Sequence, residues 1–247
     1  MFPSSDDLAT RDALKAFLRR TAPSLSVGLL AADAMAYGTA IAELEAAGTA
    51  LLHFDIMDGV FCPGFTAGPP LVAASRTNML KDVHLMVADP LGIIPAALKA
   101  GADIVHVHPE GLAHLHRALV LLDVDTAGHP GRRVLRAVAL NPATPVDVVV
   151  PVLHAIDMVT LLAVDPGWSG GAPDAALGRK VERLRQLAAE AGVDPLIVID
   201  GGITEATIGA AAHFQPDVIV SGSAVFKAGA SIADNLNELR RAAVRLP

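Results

Sequence analysis

Two patterns alternate along most of the chain. Short apolar runs rich in strand-forming residues recur at Ser26–Leu30, Ala50–Asp55, Val83–Val87, Asp103–Val107, Val134–Leu140, Met158–Val164, Leu196–Asp200 and Asp217–Ser221. Between them lie Ala- and Leu-rich segments of helical period, such as "AYGTAIAELEAAG", "PLGIIPAALKAGA" and "DAALGRKVERLRQLAAEAG". Gly and Pro mark the junctions. Eight strands with helices between them imply parallel pairing, because parallel neighbours need a crossover connection. A period of roughly 25–30 residues in a chain of 247 fits the ~250 residues of a (β/α)8 barrel. The predicted fold class is therefore α/β, a single-domain (β/α)8 TIM barrel over residues 25–247. Residues 1–24 are predicted to be an N-terminal extension with a short amphipathic helix. The competing architecture, an open doubly wound sheet, usually carries an early G-x-G-x-x-G turn, and the first strand here has none.

Composition narrows the function classes. The chain is 52% hydrophobic and 18% charged, so it can bury a large core, and its net charge of -7 argues against a nucleic-acid surface, which needs clustered positive charge. The single cysteine, Cys62, excludes an internal disulfide and fits a reducing compartment. "MFPSSDDLATRDALKAFLRR" lacks a signal-peptide core. The longest apolar run, "VDVVVPVLHAIDMVTLLAV", is broken by Asp147, Pro151, His154 and Asp157, too interrupted for a membrane span; it reads as a buried helix and strand. A cytoplasmic protein with no nucleic-acid or membrane partner is expected.

In such barrels chemistry sits at the C-terminal ends of the strands. His53 and Asp55, two residues apart, share a face at the end of the second strand. His84 closes the third strand in "KDVHLMV", and Asp200 closes the seventh in "LIVIDGGI". Two imidazoles and two carboxylates on one rim suit a divalent transition metal. Alternatively, each caps a loop or accepts from backbone amides. His106 and His108 in "VHVHPEG" also share a face and either orient ligands or are ordinary barrel residues. His114, His116, His129, His154 and His213 read as helix or loop residues. "DGGI" after the seventh strand and "SGSAVF" after the eighth resemble loops that hold a phosphate with backbone N–H groups, helped by a helix N-terminus. "DPGWSGGAP" after the sixth has the makeup of a lid.

Taken in order, "LLHFDIMDGVFCPGFTAGPP", "DVHLMV", "AGADIVHVHPE", "VALNPATPVD", "VDPGWSGG", "IDGGI" and "SGSAVF" resemble the ribulose-phosphate 3-epimerases over roughly residues 25–227. The resemblance implies one divalent metal, zinc first with iron(II), cobalt or manganese as the others, held by His53, Asp55, His84 and Asp200. It implies that Asp55 and Asp200 are the acid–base pair, and that the phosphate is held by Gly201, Gly202, Gly222 and Ser223 with the lid glycines Gly170 and Gly171. Met57 and Met86 match methionines near the reacting carbon; core filling fits them equally well. Asp58 is expected to serve as a turn or cap residue. The implied partners are a small-molecule sugar phosphate and further copies of the chain in a homo-oligomer.

The chemistry this implies is inversion of the carbon next to the ketone of a ketose phosphate, ribulose 5-phosphate to xylulose 5-phosphate in the first instance. One carboxylate removes the proton, the other returns it to the opposite face, and a cation steadies the enediolate between. The sequence departs from the family around the acids. "PSILSAD" becomes "VGLLAAD", so Gly28 and Ala31 stand where the family has serine, and Ser26 is expected to compensate in part. Gly64 replaces asparagine, Trp168, Ser169 and Gly171 replace Phe, Gly and Gln in the lid, and Leu162 stands at a third methionine position. Room is expected to be gained at Gly28, Gly64 and Gly171, with Trp168 as a new wall, so another ketose phosphate such as allulose 6-phosphate is the second substrate reading. A decarboxylase or aldolase would need a lysine near Asp55 and Asp58, where there is none. A silent sugar-phosphate-binding barrel would be signalled by loss of an acid, and both acids are present.

Overall fold

The computed structural model describes residues 8, 10–124, 133–168 and 171–244. Eight parallel strands close into one barrel in chain order: β1 (Ser24–Gly28), β2 (Leu51–Met57), β3 (Leu80–Met86), β4 (Ile104–Val107), β5 (Leu135–Leu140), β6 (Met158–Leu162), β7 (Leu196–Asp200) and β8 (Val218–Ser221), with β8 pairing back onto β1. Because each strand is covered by helices outside and filled inside, nearly every strand residue is buried. Outward residues such as Leu52, Phe54, Val83, Leu85, Val159 and Ile197 form the main core with the surrounding helices.

Inward residues stack in layers. The floor is apolar: Leu51, Leu80, Ile104, Leu135, Met158, Leu196 and Val218. Helix α1 (Arg11–Arg20) closes the barrel from below, with Leu14 and Leu18 fully buried in that same cluster. Its first turn is fixed by Thr10, whose side-chain oxygen accepts from the Ala13 N–H at 3.1 Å. At the floor, the aspartates just before β4, β6 and β8 each tie down the preceding strand. Asp103 accepts from Lys81 N–H at 2.8 Å, Asp157 from Arg136 N–H at 2.9 Å and Asp217 from Ile197 N–H at 2.7 Å.

Several boundaries differ from the sequence expectation. The chain leaves β1 at Gly28 because Leu29–Ala31 turns into a 3-10 helix, so Leu29 and Leu30 are not strand. Strand β2 runs two residues further, to Met57, because β3 offers a partner at every step as far as Met86. Strand β3 begins at Leu80 rather than Val83, which brings Asp82 inside the barrel opposite His53. The connection from β5 to β6 is helical but 3-10, Val146–Ala155, with Pro151 in its interior withholding a backbone donor.

Candidate active site

Alternation along β2, β3 and β4 carries His53, Asp55 and Met57, then Asp82, His84 and Met86, then His106 and His108, onto the inner face. His53 and His84 are buried, and their rings meet edge to face at 5.6 Å. His53 Nε2 lies 3.4 Å from Asp55 Oδ1, and His84 Nδ1 lies 3.8 Å from Asp55 Oδ1 and 3.4 Å from Asp200 Oδ2. The four residues expected to converge on one rim thus do so. His53 Nε2 and His84 Nδ1 are buried with no hydrogen-bond partner. Ligand atoms of His53, Asp55 and His84 lie within 4.8 Å of one another, a candidate metal site. Two buried imidazole nitrogens without a hydrogen-bond partner, close to a carboxylate, fit a cation site, because a polar atom left unpaired in a core is costly.

Beneath this ring lies a polar layer that the sequence reading missed. Asp82 is buried, its Oδ2 accepting from Ser26 Oγ at 2.6 Å and sitting 2.8 Å from His53 Nδ1, its Oδ1 2.5 Å from His106 Nε2. His106 Nδ1 is in turn 2.7 Å from Thr160 Oγ1. Burial pushes the Asp82 carboxyl up, but the His106 and His53 imidazoles outweigh it and hold it well below the usual carboxylate range. Burial opposes charge on His53 also, yet Asp82 and Asp55 on its two sides hold its pKa well above the ordinary value. Bonded to Asp82 through Nδ1, the ring is fixed with Nε2 toward the mouth. Ser26 therefore belongs to this inner layer, its hydroxyl committed to Asp82. It does not stand in for the hydroxyl missing at Gly28. The only sequence signal for Asp82 was its two-residue spacing from His84.

His108 backs onto His84, with Nε2 to Nε2 at 2.8 Å and the two rings nearly parallel. Its other nitrogen, Nδ1, is 3.3 Å from Glu110 Oε2. Burial lowers the His108 pKa to about 4 and keeps the ring neutral. Glu110 is lowered to about 2, because bonds from His108, Thr144 and the Asn141 N–H more than offset its burial. Asp58 is a loop staple, as expected: Oδ1 accepts from the N–H groups of Val60 and Phe61 at 2.9 Å each, and Oδ2 from Ala88 N–H at 2.8 Å.

Two adjoining cavities open above the ring and share Leu30, Asp55, Val164, Trp168, Asp200 and Gly201. One, about 270 Å3, adds His84, Met57, Met86 and Leu162. The other, about 370 Å3, adds Gly28, Ala31, Gly171, Gly202, Gly222 and Ser223, so Gly171, Gly201, Gly202, Gly222 and Ser223, all expected to cradle a phosphate, line one chamber. Gly202 has φ +65, and a Cβ there would stand 2.2 Å from the Gly171 carbonyl oxygen, a position open to glycine alone. After Ser223 the chain makes one turn, Val225 N–H to Gly222 O at 2.9 Å, and not the helix expected there; the next helix is Ile232–Val244. Gly171 adds no room, since Val164 Cγ1 already fills the place its Cβ would take, at 2.2 Å. Gly64, beside the Met57 thioether, has φ +138, a backbone conformation that would strain any other residue. At Gly28 there is space: the nearest atom to an added Cβ is 3.6 Å away. Trp168 is 63% exposed at the rim of both cavities. His129, Ser169 and Gly170 lie outside the described residues.

Comparison with known proteins agrees with this arrangement. Residues 24–226 match the ribulose-phosphate 3 epimerase family. A Salmonella typhimurium protein that carries an epimerase name, LsrE, is 40% identical over 220 residues, 88% of this chain and 86% of that one. The ribulose-phosphate 3-epimerase of Bacillus subtilis is 39% identical over 210 residues, 84% and 92% of the two chains. A solved structure from Aquifex aeolicus VF5 superposes with a TM-score of 0.60 over 94% of this chain and 98% of that one, at 15% identity, a likeness of fold alone. With its motifs, barrel and matched length all in agreement, the chain belongs to the ribulose-phosphate 3-epimerase family of epimerases.

Proposed function

We propose that this epimerase inverts the carbon beside the ketone of a ketose phosphate, with ribulose 5-phosphate as the leading substrate. The carrying observation is that Asp55, on β2, and Asp200, on β7, both line both chambers. One chamber reaches the His84 imidazole and the other the glycines of the β7 and β8 loops. A sugar phosphate laid across them would have its carbonyl end at the histidines, its phosphate at Gly201, Gly202, Gly222 and Ser223, and its carbon next to the carbonyl between the two acids. Asp55 is held in the ionised form from which it can take up a proton: burial raises its pKa, but His53 and His84 outweigh that and keep it below the ordinary value. One carboxylate takes the proton and the other returns one to the opposite face. Met57, Met86 and Leu162 wall the reacting end and exclude water.

His53, Asp55, His84 and Asp200 would hold a divalent cation, zinc first given two imidazoles and two carboxylates. When bound, it supplies positive charge where negative charge gathers on the substrate oxygens. The expected result is about one metal per chain after gentle purification, activity lost on chelation and regained on add-back. Full activity in a verified metal-free sample would refute this part of the reading.

A second substrate reading rests on Gly28. Beside Asp55, Gly28 lies against Gly222, and Gly222 against Ala31; none of these three has a side chain that can bond a sugar hydroxyl, although Thr204, Ser221 and Ser223 line the same chamber. A lost hydrogen bond is worth roughly 0.5–1.5 kcal/mol, up to about tenfold in binding. That permits another ketose phosphate, such as allulose 6-phosphate, to compete without abolishing use of ribulose 5-phosphate. Comparison of kcat/KM for ribulose 5-phosphate, allulose 6-phosphate and a four-carbon ketose phosphate, each beside its unphosphorylated sugar, tests both readings. A preference of several hundredfold for ribulose 5-phosphate would end the second. Equal rates on unphosphorylated sugars would end the phosphate assignment.

A further inference from the structure

We propose that Glu110 is a positioning residue, which acts through His108 to hold His84 in the tautomer whose Nδ1 lone pair faces the two acids. The inference rests on the metal reading of the site above. His84 has one nitrogen toward Asp55 and Asp200 and the other on His108. If Nδ1 is to offer a lone pair, Nε2 must carry the proton and donate it to His108 Nε2. With its Nε2 accepting from His84, His108 has its own proton on Nδ1, directed at Glu110 Oε2. The chain of donors therefore ends at Glu110, a group that when ionised only accepts.

The second carboxylate oxygen fixes that direction. Glu110 Oε1 accepts from the Asn141 N–H at 2.8 Å and from the Thr144 hydroxyl. The Asn141 carbonyl is held in turn by Lys180 Nζ at 2.7 Å. A backbone N–H cannot reverse its role, so Oε1 must remain an acceptor. Phe61 packs on the His108 ring, centroids 4.8 Å apart, which keeps the ring from swinging away. None of these groups reaches the cavities, so Glu110 touches no reacting atom.

Glu110→Gln tests the direction. One oxygen becomes an NH2. If the remaining oxygen stays on Asn141 N–H, the NH2 faces His108 Nδ1 and meets a donor; if the amide turns round, the Asn141 bond is lost. Either way the proton order through His108 and His84 is no longer enforced. Removal of such an outer partner typically costs 10–100-fold in metal affinity. The experiment is zinc affinity by chelator competition on the full chain, with imidazole N–H signals of the zinc-loaded protein read by 15N NMR. Thr144→Val serves as control: it removes a bond to Oε1 and leaves Oε2 untouched.

The expected result is a carboxylate-bonded His108 Nδ1–H signal in the wild type and in Thr144→Val. Glu110→Gln should lose or shift that signal and bind zinc 10–100-fold more weakly, with Thr144→Val within about threefold of wild type. Unchanged affinity and an unchanged signal in Glu110→Gln would overturn the proposal. Equal losses in both variants would also overturn it, since that is the mark of loop anchoring alone. A wild type that binds no zinc would instead end the metal reading itself.

Discussion

Asp55→Asn and Asp200→Asn are each expected to lose at least about 10³-fold in turnover, the range for general acid–base groups that also ligate a metal. Asparagine keeps the shape of the side chain and one oxygen, but at neutral pH it neither takes up nor returns a proton. The two aspartates stand on β2 and β7, separated by β1 and β8 around the barrel, so neither can do the other's work on the far face of a bound carbon. Wild-type enzyme in D2O should wash deuterium into one carbon of the ketose phosphate, next to the carbonyl. A variant with one acid left that exchanges this hydrogen without inverting the carbon would identify which aspartate serves which face. Near-normal epimerisation by either variant, with metal content confirmed, would remove the two-carboxylate mechanism.

Asp82→Ala is expected to destabilise the fold by about 3–5 kcal/mol, the cost of taking one partner from a buried, charge-paired cluster. Ser26, His53 and His106 would each lose a partner inside the barrel. The midpoint of urea unfolding, read with the slope held constant, gives the value. The loss should also release His53 and weaken zinc binding well beyond what lower stability explains, measured under conditions where the variant is fully folded. A change under about 1 kcal/mol would mean that the inner layer is wet or malleable, and that His53 is oriented by something other than Asp82.

The rim was legible because its residues break a local rule. His53, Asp55, His84 and Asp200 are polar groups at the ends of apolar strands, and the two-residue spacing of His53 and Asp55 settles their common face. Barrel closure was legible from the regular alternation of strands and helices. The layer beneath was not, because a carboxylate in mid-barrel reads as the loop before a strand. Starting β3 at Val83 was the reasonable reading of "KDVHLMV", and only the pairing of His53 with Asp82 reveals that the strand starts earlier. Likewise, the space left by Gly171 depends on the path of the lid, which brings Val164 into the gap. Glu110 meets its partners Asn141 and Thr144 across a separation of 31 and 34 residues, beyond any local pattern.

Helix α1 has a consequence for how the protein is made. The helix is the first described element of the chain, yet the floor it covers is assembled from strands spread to the far end. Leu14 and Leu18 share one cluster with Leu51, Leu80, Ile104, Leu135, Met158, Leu196 and Val218, and the ring is shut only when β8 pairs with β1. During synthesis the helix leaves the ribosome early and waits, its leucines uncovered, until nearly all of the chain has followed. Such late, long-range closure is slow and leaves apolar surface and strand edges open in the meantime. A chain cut short before Val218 is thus an unclosed sheet with two free edges and a loose greasy helix, a species suited to aggregation or capture by a chaperone.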